Sequence, residues 1–292
     1  MTVPRSIPGA ELLAWRRAQL LRGGRGVDLD WLLDLGGGLS RRDLQLLMVD
    51  AERTVILESP LETLEEHWLR HLQHHVPLQH LVGLCPWRDV VLEVSKAALI
   101  PRQETELLLE LAISRPLSGA PRRWADLGTG SGAIAVCLAR TWPDVPGHAV
   151  EISADALLLA ERNLRMHGAS TGWTLHCGSW WEPLRPWWGA FDLVLSNPPY
   201  IPSSVMDGLD PVVRDHEPHL ALSGGADGLD CIRAVVMDAP RALSPGGWLL
   251  IEHHHDQSAA VVALMQSVGL SEVAAAPDLQ GVLRFAMGRR SL

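Results

Sequence analysis

The chain is 292 residues long, 47% hydrophobic and 20% charged, with a formal net charge of −9 and an isoelectric point near 5.8. It is longer than one average domain and long enough to bury a core, and its acidic balance argues against a broad phosphate-binding face, which needs clustered basic charge. No apolar stretch approaches the ~18 residues of a membrane span and Glu11 interrupts the first, so the expectation is an enzyme of the cytoplasm, with no membrane segment and no secretory leader.

Residues 9 to about 75 read as helical. Leu12, Leu13, Trp15, Leu20 and Leu21 mark one amphipathic segment, Leu44, Leu46, Leu47 and Val49 a second, and Leu64, Trp68, Leu69 and Leu72 a third within Glu62 to His74. Ser40 is an expected N-cap for the second segment, with Asp43 three residues on. The apolar stripes read as core, and Arg16, Arg17, Arg22 and Arg25 as a solvated helix face rather than a nucleic-acid patch. Residues 86 to 98 carry the β-formers Val90, Val91, Leu92 and Val94 and read as a β-hairpin.

Beyond Pro101, strands near 123–127, 147–151, 173–177, 191–196 and 247–252 alternate with helices near 133–141, 154–167 and 228–242. That alternation is the α/β signature. A last pair, Glu272–Ala275 and Val282–Met287, is placed to close the sheet antiparallel. The expected division is a helical domain over residues 1–84, a hairpin linker over 85–100 and an α/β domain over 101–292. Cys85, Cys137, Cys177 and Cys231 show no Cys-x-x-Cys spacing, so neither a disulfide framework nor a zinc site is expected. The run His253-His254-His255-Asp256 follows a strand, where neighbours point to opposite faces, so no metal is expected there.

Two motifs carry chemistry. Trp124-Ala125-Asp126-Leu127 is a short strand, Gly128-Thr129-Gly130-Ser131-Gly132 turns out of it, and an apolar helix begins at Ala133. The glycines allow a tight turn and close approach of a cofactor, and the helix start offers free N–H groups to an anion. Glu151 ends the next strand, about 20 residues on, where an acid normally takes ribose hydroxyls. Asp126 is placed to take a cofactor ammonium, directly or through water; a turn or capping role is the plain alternative. Gly128-x-Gly130-x-x-Ala133 also satisfies the dinucleotide pattern, so a nicotinamide enzyme stays open at this motif alone.

The second motif is Asn197-Pro198-Pro199-Tyr200, directly after the apolar strand Phe191–Ser196. It is suited to hold a planar NH2 group. The Asn oxygen accepts one N–H, the Pro198 carbonyl accepts the other, and the prolines fix φ and offer no competing donor. Tyr200 can lie against the flat face of an amide or a base. An amide or exocyclic amine is a poor nucleophile, and two fixed acceptors raise its electron density and aim its lone pair at an electrophile such as a methyl sulfonium. Asn-Pro-Pro also occurs as a simple turn.

With these stretches in hand, the chain resembles the HemK/PrmC family of glutamine methyltransferases that modify peptide-chain release factors. The likeness runs over nearly the whole length: Pro77–Gly83, Leu99–Glu106, Asp126–Gly132, Asn197–Ile201, and Ala221–Gly225 with Asp227-Gly228-Leu229. It departs at Gln103-Glu104, where Pro-Asp is usual, and in the Cys85–Asp89 strand. It also departs at Ser179 and Glu151, where Asp is usual, and at His254, where Gly is common. The resemblance implies a seven-stranded, class I, Rossmann-like S-adenosylmethionine-dependent methyltransferase domain behind a small helical domain that docks the release factor. It implies N5-methylation of the glutamine in the Gly-Gly-Gln loop of class 1 release factors; a monomer that binds no nucleic acid directly is expected besides. By position, Asp126, Gly128, Thr129, Gly130, Ser131, Gly132, Glu151, Ser179, Trp180 and Asn197 then contact the cofactor, and Asn197, Pro198, Pro199 and Tyr200 bind the glutamine. The alternatives are a nucleic-acid methyltransferase acting on adenine N6 or guanine N2, a nicotinamide oxidoreductase, and a non-catalytic adaptor for the release factor or ribosome.

Overall fold

Hydrophobic periodicity in the first third of the chain is short and broken by glycines, so it builds several small helices around one core. The computed structural model describes residues 4–115, 120–168 and 172–292, and the chain divides into two compact units between Leu84 and Cys85. The first unit runs β1 (Arg5–Pro8), α1 (Gly9–Leu21), α2 (Gly26–Leu35), α3 (Arg41–Val49), β2 (Thr54–Leu57), α4 (Leu61–His74) and α5 (Leu78–Val82). Leu12, Leu29, Leu32, Leu33, Leu47, Leu64 and Trp68 are buried together in its core. The Trp68 indole N–H donates to the Gln19 carbonyl at 3.3 Å, so the ring's polar edge is not left unmade.

Ser40 caps α3: its Oγ accepts the Asp43 N–H at 3.1 Å and its hydroxyl donates to the Asp43 carboxylate at 2.6 Å. Helix alone was expected from residue 9 to about 75, but β2 falls within that stretch and pairs antiparallel with β1 just before it, with Ile7 opposite Val55. Four residues are too few for period-two alternation to stand out from the helical pattern beside them. Arg16, Arg22 and Arg25 each pair with an acid of the same unit (Asp30, Glu65 and Asp28), so these arginines do not form an uncompensated basic patch.

The hairpin β3 (Leu84–Trp87) and β4 (Val90–Glu93), turned at Arg88, whose φ is +53°, belongs to the second unit except for Leu84. There follow α6 (Thr105–Ile113), β5 (Trp124–Leu127), α7 (Ala133–Thr141), β6 (Gly147–Glu151), α8 (Ala154–His167), β7 (Trp173–Cys177) and β8 (Phe191–Ser196). The chain ends with α9 (Pro211–Arg214), α10 (Asp230–Ala242), β9 (Leu243–Glu252), α11 (Ser258–Ser267), β10 (Ser271–Pro277) and β11 (Leu283–Arg289). Strands β5 to β11 form one seven-stranded sheet in the order β10-β11-β9-β8-β5-β6-β7, the mixed α/β architecture expected. Its five strands from β9 to β7 are parallel, while β11 runs antiparallel to both β9 and β10.

Parallel strands are covered on both faces, which is why β8 reads as a nearly unbroken apolar run. Trp124, Leu193, Leu195 and Leu250 pack on one side with α6 and α7; Ala125, Leu127, Val194 and Ile251 pack on the other with α10 and α11. Besides the four-residue α9, two helices of this unit were not anticipated. The segments of α6 and α11 are apolar nearly all round and present no polar stripe to set a period. Strand β9 begins four residues before the expected start, its register with β8 shifting between Phe191 and Leu193 to admit Pro245-Gly246-Gly247. All four cysteines are free. His253 is buried, the His254 Nδ1 lies 2.6 Å from an Asp256 oxygen, and among the described residues no group of three or more His, Cys, Asp or Glu converges as a metal site would. No helix of the described residues is long and apolar enough to cross a membrane.

Candidate active site

The sheet order reverses direction at β5, which has β6 on one side and β8 on the other. In open α/β sheets that switch leaves a crevice at the carboxyl ends of the strands. Leu127 and Ser196 end the two strands opposite each other, and the Ser196 hydroxyl donates to the Leu127 carbonyl at 2.7 Å. Gly128 and Asn197 therefore leave the sheet side by side. Beyond them lies a cavity of about 360 Å³ lined by Gly128, Thr129, Gly130, Ser131, Glu151, Ser179, Trp180, Asn197 and Pro199 among others. Asp126, Gly132, Pro198 and Tyr200 do not line it. A larger, more open depression of about 970 Å³ beside the hairpin and α6 contains no residue of the glycine turn or of the Asn-Pro-Pro-Tyr.

The turn needs its glycines for two different reasons. Gly128 (φ +75°) leaves room for the cavity: a Cβ there would come within 3.1 Å of the Trp180 ring. Gly132 (φ +84°) lets α7 approach α8, since a Cβ would meet Ala160 at 3.1 Å. Trp180 is itself held at φ +47°, an unusual conformation for a bulky residue, and stands at the cavity wall.

Two carboxylates sit at the turn. Glu151 lines the cavity, but its oxygens already serve the backbone: Oε2 accepts the Gly130 N–H and Oε1 the N–H groups of Ile152 and Ser153, all at 2.9 Å. A carboxylate has about four lone-pair sites, so one is left for a ligand hydroxyl. Asp126 lies fully buried behind the turn. Its Oδ2 accepts the Thr129 hydroxyl at 2.5 Å, while Oδ1 has no hydrogen-bond partner. Burial pushes its carboxyl up to about 7, against the Thr129 hydrogen bond and the nearby Ala135 N–H, which favour the ionised form.

The Asn-Pro-Pro-Tyr is tied down from behind. The Asn197 Nδ2 donates to Thr105 Oγ1 at 3.0 Å, and the Thr105 hydroxyl donates to Glu252 Oε2 at 2.7 Å. The Tyr200 hydroxyl lies 3.5 Å from Glu252 Oε1, and the Gln257 Nε2 donates to the carbonyls of Tyr200 and Gly228 at 2.9 and 3.1 Å. Neither Asn197 Oδ1 nor the Pro198 carbonyl makes a hydrogen bond among the described residues. The tetrapeptide thus commits one N–H of the Asn197 amide to Thr105 and keeps two acceptors. Thr105, Glu252 and Gln257 were not picked out from sequence: Thr105 stands 92 residues before Asn197, and no local spacing announces that contact.

A family model described as the methyltransferase small domain matches residues 103–210. A release factor glutamine methyltransferase of Prochlorococcus marinus is 52% identical over 292 residues, covering 99% of this chain and 100% of the relative. The chain belongs to the release factor glutamine methyltransferase family. Relatives of the same name from Geobacter sulfurreducens (38% identical; 96% of this chain, 95% of the relative) and a Synechocystis strain (36%; 97% of each) agree. Among solved structures, the hMettl16 catalytic domain superposes with a TM-score of 0.55 at 15% identity, covering 82% of this chain and 85% of that one. A methyltransferase from Pyrococcus furiosus superposes with a TM-score of 0.50 at 16% identity, covering 78% and 99%. At those identities the likeness concerns the fold.

As a class I member of a methyltransferase family, the enzyme uses S-adenosylmethionine. The residues present suit that cofactor. A positive-φ glycine cradle opens toward an indole face, one lone pair remains on Glu151, and an unpartnered buried carboxylate oxygen sits beneath the turn.

Proposed function

We propose that this family member methylates the side-chain amide nitrogen (N5) of the glutamine in the Gly-Gly-Gln loop of class 1 peptide-chain release factors. One observation carries the reading: two unspent acceptors, Asn197 Oδ1 and the Pro198 carbonyl, stand at the switch point beside the glycine turn. A primary carboxamide has two N–H groups to match them, and the relatives' name supplies its source.

The cofactor supplies an electrophilic methyl carbon. Gly128 to Gly132, Glu151, Ser179 and Trp180 would hold it, with Glu151 toward the ribose hydroxyls and Trp180 against the adenine. Asn197 Oδ1 and the Pro198 carbonyl accept the amide hydrogens of the glutamine, which polarises the nitrogen and directs its lone pair into the cavity. Pro199 and Pro198 hold the backbone stiff. Tyr200 anchors the end of the tetrapeptide through its carbonyl to Gln257. No strong base is required, because an alkylated amide nitrogen is acidic and gives its proton to water. In this reading the helical unit, residues 1–84, docks the release factor, and the enzyme works in the cytoplasm without binding nucleic acid.

The test is transfer of labelled methyl from S-adenosylmethionine to purified release factor, to the same factor with its loop glutamine replaced, and to a stem-loop RNA. Label in the first sample alone is the expected result. Label in the RNA, or in the factor lacking the glutamine, contradicts the reading.

A further inference from the structure

An asparagine presents two ends of nearly equal size, an oxygen that accepts and an NH2 that donates. The proposed function needs the oxygen in the cavity. Asn197 has no charge and no steric feature to choose between its two orientations, so the choice must come from what it touches.

It touches Thr105, and Thr105 touches Glu252. A hydroxyl has one hydrogen to give. When Glu252 is ionised it can only accept, so the Thr105 hydrogen goes to Glu252 Oε2. The remaining lone pairs on Thr105 Oγ1 can only accept, so they take the Asn197 Nδ2 hydrogen. Oδ1 then faces the cavity. When Glu252 carries a proton the chain can run backwards. The carboxyl gives its hydrogen to Thr105, Thr105 gives its own to Asn197 Oδ1, and the NH2 turns into the cavity. A donor then confronts the donors of the incoming amide.

We propose that Thr105 and Glu252 are positioning residues that set the polarity of the Asn197 carboxamide, so that Asn197 accepts from the substrate amide only while Glu252 is ionised. This deepens the proposed function and rests on it for the identity of the substrate.

The surroundings of Glu252 make the switch accessible. It is buried at the end of β9, faced by Thr105 and Glu104 from the start of α6, by Tyr200 from the tetrapeptide, and by Arg284 from β11. Arg284 is itself engaged by Asp278 at 2.6 Å, which limits the charge it offers Glu252. Burial pushes the Glu252 carboxyl up to about 7; the Thr105 hydrogen bond opposes this, Glu104 adds to it and Arg284 opposes it. The accepting orientation is therefore gained as pH rises through about 7 and lost as it falls.

The sequence offers an unusual way to watch this. The chain contains two asparagines, Asn163 and Asn197, so asparagine-selective 15N labelling gives two side-chain NH2 pairs. Asn163 is buried, with its NH2 held by the carbonyls of Glu93 and Ser131, and reports that the fold is intact. The experiment follows both pairs with pH in the full-length wild type, Thr105→Val, Thr105→Ser and Glu252→Gln, and measures kcat/KM for the release factor alongside cofactor Kd.

In the wild type the Asn197 pair should shift with a midpoint near 7, and in Glu252→Gln it should not titrate, while the Asn163 pair stays put in both. Thr105→Val should lower kcat/KM by about tenfold or more, through lost orientation, with cofactor Kd within about twofold; Thr105→Ser should stay within about threefold of wild type. An Asn197 pair indifferent to pH, or Thr105→Val at wild-type kcat/KM, or Thr105→Ser as impaired as Thr105→Val, overturns the proposal. If wild type transfers no methyl to the release factor, the substrate reading falls, and the resonance titration still decides the polarity claim.

Discussion

An amide nitrogen lends its lone pair to its own carbonyl, so an enzyme that wants it as a nucleophile must take hold of its hydrogens. Asn197 is equipped for that by what surrounds it. One N–H of its amide is committed to Thr105, and its acceptor is left for a guest. Replacing Asn197 with Ala removes one fixed acceptor and should cost about 2–4 kcal/mol of transition-state stabilisation, read as kcat/KM for the release factor. Full turnover by that variant would refute the role. At Gly128 an alanine faces both a positive φ and the Trp180 ring at 3.1 Å. Gly128→Ala should weaken S-adenosylmethionine binding, seen as a higher Kd by calorimetry, and an unchanged Kd would mean the cofactor does not lie against this turn.

The two site motifs were legible at this scale because each is a contiguous run whose chemistry is local. Asp126 reads differently once its burial is known. It sits behind the turn and holds Thr129, so it would reach a cofactor ammonium only at the turn's inner side. Thr105 and Glu252 were invisible as partners of Asn197, since nothing in a linear pattern joins residues brought together by a sheet and a preceding helix.

Among the elements, the hairpin is fastened to the rest of its unit by several side chains, including Arg162 to Glu93, Arg140 to Asp89 and His167 to the Val91 carbonyl, and Asn163 is the most connected of them. Asn163 on α8 accepts the Glu93 N–H at 2.8 Å through Oδ1 and donates through Nδ2 to the Glu93 carbonyl at 2.9 Å and to the Ser131 carbonyl at 2.8 Å. It therefore joins β4, α8 and the glycine turn. Asn163→Ala strands three backbone groups, at least part of which stays buried, and should destabilise the protein by about 2–3 kcal/mol in denaturant unfolding. A loss under about 0.5 kcal/mol, the size of an ordinary surface change, would show that the clamp carries little. Helices with a clear stripe and a good cap, such as α8 behind Ser153, were readable in outline from the sequence. Those without a stripe, α6 and α11, were not. The strands β1 and β2 were hidden by their brevity, since a four-residue strand becomes a strand through its partner.

At the scale of the whole molecule, buried titratable groups shape stability. Asp126 is fully buried and its carboxyl is raised to about 7, so between the ordinary carboxylate range and about 7 the folded state binds the proton more tightly than the unfolded chain. Its contribution is thus favourable at low pH and is lost as pH rises through about 7. Asp126→Asn abolishes that dependence. In protein free of cofactor, the Tm of the variant relative to wild type should be higher near pH 8 than near pH 5. Equal differences at the two pH values would contradict the assignment.

The sequence has twelve tryptophans against two phenylalanines, and the core shows where several of them go. Trp68, Trp87, Trp124 and Trp181 are among the largest fully buried side chains, and three of them direct the indole N–H to a backbone carbonyl: Gln19, Arg102 and Val235. They fill the core as phenylalanine commonly does elsewhere.

The claim on which the account turns is that a glutamine carboxamide is gripped through Asn197 and the Pro198 carbonyl and alkylated on nitrogen. Tandem mass spectrometry of the release factor after reaction with enzyme and S-adenosylmethionine tests it most directly. The account predicts one added methyl, on the side-chain nitrogen of the loop glutamine, and its disappearance when Asn197 is replaced by Ala at equal enzyme concentration. A methyl on any other residue, or an undiminished yield from the Asn197→Ala enzyme, would contradict it.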